Sequence, residues 1–198
     1  ILDIGTGSGL IALMMAQRFP QALVTAIDID ADACRQAVAN AAASPFGSRI
    51  TVVNASLQDF AATAMPQSFD AIVSNPPYFQ NSLLSPDARR TAARHTASLS
   101  FRDLMGGVRR LLADGGVISV IGPADAESDM EGEAIISGMS VAATVAVSTR
   151  QGKRPRRFMA RLVNGPATTY DHSDVILTAS DGRRSEWYHE LTKEFYIR

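Results

Sequence analysis

The 198 residues hold one cysteine (Cys34), one tryptophan and three histidines. A single thiol excludes a disulfide scaffold, and so few histidines beside it leave no spacing that a zinc site could use. No apolar run approaches the roughly 20 residues a membrane helix needs, and no secretory signal opens the chain. These absences predict a cytoplasmic protein of a reducing compartment, with no metal, no membrane attachment and no obligate protein partner. Charge of one sign is also missing, the formal net being -1. That small total hides an asymmetry. Residues 1–88 carry three basic residues against seven aspartates, while residues 89–198 carry the other 16 Lys/Arg against 13 acids. Six of those basic residues lie between Arg150 and Arg161 with no acid among them, so a polyanionic partner stays open.

What is present is a globular balance, 46% hydrophobic and 20% charged, enough to bury one sizeable core. The chain opens on Ile1-Leu2-Asp3-Ile4, which reads as a buried strand, so residues 1–198 are expected to be a single domain lacking an upstream segment. Apolar residues at helical spacing over Leu10–Arg18 and Ala31–Ala43 alternate with short apolar runs at Leu23–Asp28, Ile50–Asn54 and Phe69–Ser74. Ser100 caps a further helix that ends at Asp114-Gly115-Gly116, with two unexplained glycines, Gly106 and Gly107, inside it. Strands are predicted at Val117–Ile121, Val141–Thr149, Phe158–Val163 and Val175–Thr178, helices within Ala124–Gly138 and Ser185–Glu194. This alternation predicts an α/β fold, a mostly parallel seven-stranded sheet with helices on both faces. In such a sheet ligands bind beyond the carboxyl ends of the strands.

The first strand runs into Asp3-Ile4-Gly5-Thr6-Gly7-Ser8-Gly9. Leu10 stands where a dinucleotide fingerprint would place its third glycine, which disfavours a dehydrogenase. A plain tight turn is the simpler alternative. Asp28 ends the second strand, where an acid can accept ribose hydroxyls; Asp30 competes for that role but sits where a helix N-cap belongs. The fourth strand leads into Asn75-Pro76-Pro77-Tyr78. Two prolines hold the backbone extended and remove two N–H donors, leaving carbonyls free to accept. An amine conjugated to a π-system is a poor nucleophile. If Asn75 Oδ1 and the Pro76 carbonyl both accept from its NH2, charge is drawn to nitrogen as its hybridisation changes, and no strong base is needed. Tyr78 offers a face on which a planar base can stack.

The glycine turn, with its acid two residues ahead, resembles the first motif of S-adenosylmethionine-dependent methyltransferases. The resemblance implies the Rossmann-like class I methyltransferase fold and S-adenosylmethionine as cofactor. It implies cofactor contacts from Asp3, Gly5, Thr6, Gly7, Gly9, Asp28, Ile29 and Asn75. It also implies adenine contacts after the third strand from Asp59, with Phe60 or Leu57 flanking the ring. Asn75-Pro76-Pro77-Tyr78 resembles the catalytic motif of enzymes that methylate adenine N6, guanine N2 of rRNA, or the N5 amide of a protein glutamine. Across the whole chain, residues 81–90, 93–96, 99–101, 153–157 and 188–196 are similar to the bacterial tRNA1(Val) adenine-37 N6-methyltransferases. That resemblance implies tRNA as partner and adenine N6 as acceptor. Arg89, Arg90, Arg94 and His95 would rim the acceptor pocket, and Lys153, Arg154, Arg156 and Arg157 would hold the RNA farther out. A protein-glutamine enzyme would want an acidic or apolar rim, and a purely RNA-binding module would leave Asn75 without purpose. His172, His189 and Cys34 are read as packing or surface residues.

Overall fold

A computed structural model describes residues 1–76 and 99–196. Its strands are β1 (Leu2–Ile4), β2 (Val24–Asp28), β3 (Ile50–Asn54), β4 (Phe69–Ser74), β5 (Leu112–Pro123), β6 (Met139–Arg150), β7 (Arg157–Asn164) and β8 (Asp171–Thr178). Among the described residues the helices are α1 (Leu10–Arg18), α2 (Ala31–Ala43), α3 (Leu57–Thr63), α4 (Phe101–Leu111), α5 (Glu127–Ile136) and α6 (Glu186–Thr192). One sheet takes all the strands in the order β3-β2-β1-β4-β5-β7-β6-β8. Strands β1 to β5 run parallel, β7 is antiparallel to both β5 and β6, and β8 is parallel to β6.

Helix starts follow from short polar side chains. Asp30 accepts from the amides of Asp32 and Ala33, while Ser56 and Ser100 accept from Asp59 and Asp103. In the last two the serine hydroxyl also donates to the aspartate carboxylate at 2.7 Å, a reciprocal cap. The two faces are packed differently. Leu2, Ile4, Ile27 and Ile72 join Leu57, Leu104, Met105, Met130 and Phe158 in the larger core. Ala12 and Ala16 of α1 close against Val24 and Ala26 in a smaller one built from short side chains.

The fold departs from the sequence expectation in three places. Among the described residues the sheet has eight strands rather than seven, because the tail strand expected at Val175–Thr178 joins it as β8, which begins earlier, at Asp171. Its first four residues are polar and exposed, as an edge strand permits, so they carry no apolar signal. Strand β5 starts at Leu112, before the two glycines expected to precede it. Phe69 pairs with Leu112 and Ala71 with Val117, and the extra residues bulge through Gly115 at φ +74°. The segment after β3, for which the sequence pattern predicts no helix, forms helix α3.

Packing also accounts for one of the two unexplained glycines. A Cβ on Gly107 would lie 2.7 Å from Cγ and Cδ2 of buried Leu57, whereas one on Gly106 would meet nothing within 4 Å. Gly107 therefore lets α4 approach α3, and Gly106 only weakens its helix. Thermal and urea unfolding should separate them. Gly107→Ala is expected to destabilise by about 1–3 kcal/mol through overpacking, and Gly106→Ala to stabilise by up to about 1 kcal/mol.

Candidate active site

The carboxyl ends of β1, β2, β3 and β4 lie side by side, because Ile4 pairs with both Ile27 and Ser74, and Asp28 with Asn54. The glycine turn leaves β1 at the centre of that edge. Gly5, Gly7 and Gly9 all have φ between 56° and 84°, which favours glycine. The amides of Gly5 and Thr6 donate to the Ile27 carbonyl at 2.9 and 3.0 Å, pinning the turn to β2. At Gly9 there is a second constraint, since a Cβ there would lie 3.1 Å from that of Ala37 on α2. At Gly5 and Gly7 a Cβ would meet nothing within 4 Å, so this backbone faces open space.

Asp28 is tied to the turn. One carboxylate oxygen accepts from the Gly7 amide at 2.8 Å and the other from the Asp30 amide at 2.9 Å. Each oxygen keeps a further lone pair for a ligand. Asp30 is occupied as the cap of α2, so the two neighbouring acids have separate tasks. Beside Asp28, Ile29 is 57% exposed and offers an apolar surface. Asp59 sits in the first turn of α3, one oxygen accepting from the Ser56 hydroxyl and the other without a hydrogen-bond partner among the described residues. Phe60 turns inward to Phe69, ring centroids 6.2 Å apart, and Leu57 is 4% exposed. Leu57 thus belongs to the core, Phe60 is half-buried against it, and Ile29 is an exposed apolar side chain at this edge.

Asn75 follows β4 by one residue and is exposed, while Pro76 is buried. Ser74 anchors this exit by donating to the Ile4 carbonyl at 2.9 Å. Asn75 therefore leaves the edge one strand from the glycine turn and two from Asp28, about 10 Å at ordinary strand spacing. Pro77, Tyr78, Arg89, Arg90, Arg94 and His95 lie outside the described residues.

The second basic group is on the same edge. Arg157 pairs with Pro123 at the carboxyl end of β5, and Arg150 ends β6 beside it. The hairpin carrying Lys153, Arg154 and Arg156 thus rises from the end of the sheet that holds Asn75. All five of these cations are exposed, and none has an ion pair among the described residues.

Residues 1–122 match the methyltransferase small domain family. Over its full length the chain is 39% identical to the tRNA1(Val) (adenine(37)-N6)-methyltransferase of Aeromonas hydrophila, covering 82% of that protein. It is 45% identical to the enzyme of the same name from Phocaeicola vulgatus, again over the whole chain and 82% of the relative. The chain belongs to the tRNA1(Val) (adenine(37)-N6)-methyltransferase family. Among solved structures, a predicted O-methyltransferase from Agrobacterium tumefaciens superposes with a TM-score of 0.74, covering 100% of this chain and 89% of the other at 17% identity. The ribosomal protein L11 methylase of Lactobacillus delbrueckii subsp. bulgaricus gives 0.59, covering 83% and 69% at 20% identity. Both fix the fold as the Rossmann-like class I methyltransferase fold.

Two residues of this methyltransferase shape the edge without having been expected. Asn40 of α2 donates to the Ser8 carbonyl at 2.9 Å, and Asn54 donates to the carbonyls of Asp28 and Ile29 at 2.9 and 3.1 Å. The only available signal was position, since an asparagine at the end of β3 has nothing local to cap. Asp3 is the converse case, an expected contact that is fully buried. Its Oδ2 accepts from the Thr6 hydroxyl at 2.6 Å, and its Oδ1 has no hydrogen-bond partner among the described residues. Asp3 therefore shapes the turn from beneath.

Burial pushes the Asp3 carboxyl up from 3.8 to about 6, against hydrogen bonds from Thr6 and the Ala12 backbone and with a further push from Asp28. The sign of the consequence follows. Between pH 4 and 6 the folded state keeps a proton that the unfolded chain has released, so this group's contribution is most favourable below about pH 4 and falls as pH rises to 6. The two-unit shift corresponds to about 3 kcal/mol. Asp3→Asn should flatten the dependence of unfolding free energy on pH across that window, as read by urea denaturation at half-unit steps.

Proposed function

We propose that this enzyme transfers a methyl group from S-adenosylmethionine to N6 of adenine in tRNA, at adenine-37 of tRNA1(Val). The observation that carries the reading is Asn75, an exposed amide leaving β4 beside the glycine turn, in a chain 39–45% identical to enzymes named for that reaction.

The edge fits the cofactor. The open backbone of Gly5 and Gly7 can receive its methionine part, the Asp28 carboxylate its ribose hydroxyls, and Ile29 one face of its adenine. S-adenosylmethionine, when bound, supplies a methyl group on a positively charged sulfur. The protein's part is orientation. Asn75 Oδ1 and the Pro76 carbonyl accept the two hydrogens of the adenine amine, turning its lone pair out of conjugation. Tyr78 stacks the base, and the proton displaced from nitrogen leaves to solvent after transfer. An anticodon-loop adenine is already unpaired, so presenting it takes less unstacking than extrusion from a duplex.

Methyl transfer from labelled S-adenosylmethionine into unmodified tRNA, followed by nucleoside analysis, tests the reading. Label in N6-methyladenosine at position 37 supports it. Label in N2-methylguanosine or in protein, with none in tRNA, overturns it.

A further inference from the structure

The sequence singled out the basic hairpin but not the turn that follows β8, and the register brings the two together. Arg150 pairs with Thr178 across β6 and β8, and Thr178 in turn bridges Arg184. Paired positions share a face and successive strands lie about 5 Å apart. Arg184 therefore stands in one row with Arg150, about 10 Å away, at the end of the sheet that carries Asn75.

Arg184 is not a loose surface cation. Its guanidinium carbon lies 3.6 Å from the centre of the Tyr196 ring and 5.8 Å from that of Tyr188. The two phenols are joined at 3.1 Å. Stacking on an aromatic face removes much of the rotamer freedom an exposed arginine would lose on meeting a ligand. Yet the side chain has no ion pair and no hydrogen bond among the described residues, so its fork of N–H donors is unused. Neighbouring Arg183 is held differently, its Nε 3.8 Å from Asp181. A guanidinium fixed in plane with its donors free suits a phosphate group, which it can grip with two parallel bonds.

We propose that the RNA surface extends from the β6–β7 hairpin onto the β8–α6 turn, where Arg184, set on Tyr196, binds a backbone phosphate of the tRNA outside the reacting loop. This inference rests on the tRNA reading above. Arg184 is a positioning residue: it contributes to RNA affinity and leaves the methyl-transfer step unchanged.

Equilibrium binding of unmodified tRNA across a salt series, with the whole chain, tests it. For Arg184→Ala the expected result is a roughly tenfold rise in Kd and a loss of about one from the slope of log K against log salt. Affinity for S-adenosylmethionine and kcat at saturating tRNA are expected to stay as in wild type. Tyr196→Leu keeps the charge but frees the arginine, so it should weaken binding while leaving the salt slope intact. Unchanged tRNA affinity and slope in a folded Arg184→Ala overturns the proposal and makes the stack a tether for the tail. If Arg184→Ala lowers Tm, Arg184→Lys serves in its place, and a wild-type Kd in that variant overturns the planar-fork argument. An Arg154→Ala/Arg157→Ala double variant keeps the two readings apart. Weakened binding there with none in Arg184→Ala sinks this inference alone, whereas no tRNA binding by the wild-type chain sinks the tRNA reading with it.

Discussion

Asn75→Ala is expected to lower kcat for methyl transfer by 10²–10³-fold, the range seen when one preorganised hydrogen-bonding group is removed from a charge-developing centre. The adenine amine reacts only when its lone pair leaves the ring, and in the proposed mechanism the amide oxygen of Asn75 favours that state over the planar one. The exposure of Asn75 means alanine should change stability by no more than about 0.5 kcal/mol, so activity loss with an unchanged Tm isolates the chemistry. Asn75→Asp retains an acceptor at the same reach and should keep more activity than the alanine. Single-turnover rates with saturating tRNA decide the matter. Alanine and wild type turning over alike would remove Asn75 from the mechanism.

The parts of this site that were legible in the sequence are those where one residue type alone solves a local backbone problem. A turn with three positive φ angles demands glycines, so Gly5, Gly7 and Gly9 announced themselves. Asp30 before a helical run could be read as a cap because capping is local, and it is one. Proline after a core strand marked Asn75 for the same reason. What the sequence hid depends on which face a residue turns to the fold. The helix that carries Asp59 and Phe60 left no signal because Ser56 starts a run of only seven residues, too short to show periodicity. Nothing local says that Phe60 meets Phe69, or that Asn40 and Asn54 reach back to fasten the turn and the end of β2. The basic hairpin was visible as composition, but only strand direction puts it at the edge with Asn75. The sense of β7 and β6 relative to β5 is a property of the whole sheet.

Asp28→Ala should raise the Kd for S-adenosylmethionine about 100-fold or more, because a carboxylate accepting two hydroxyls contributes about 1.5–3 kcal/mol per bond. The loss acts twice. The Gly7 amide, now 2.8 Å from the Asp28 carboxylate, is left without its acceptor, so the turn that cradles the ligand loses its fastening as well. Asp28→Asn keeps the shape, yet its NH2 must face the amide of either Gly7 or Asp30, and a donor set against a donor is repulsive. Its affinity should therefore fall between wild type and alanine. The control is two residues away. Asp30→Ala removes only the cap of α2, at a cost of about 1 kcal/mol in stability, and should leave cofactor affinity as it was. Titration calorimetry on the three variants tests this assignment directly. A large loss in Asp30→Ala with little change in Asp28→Ala would exchange their roles and move the ribose toward α2. The expected order, with Asp28 weakest for ligand and Asp30 weakest only for stability, would tie the ribose site to the residue that also shapes the glycine turn.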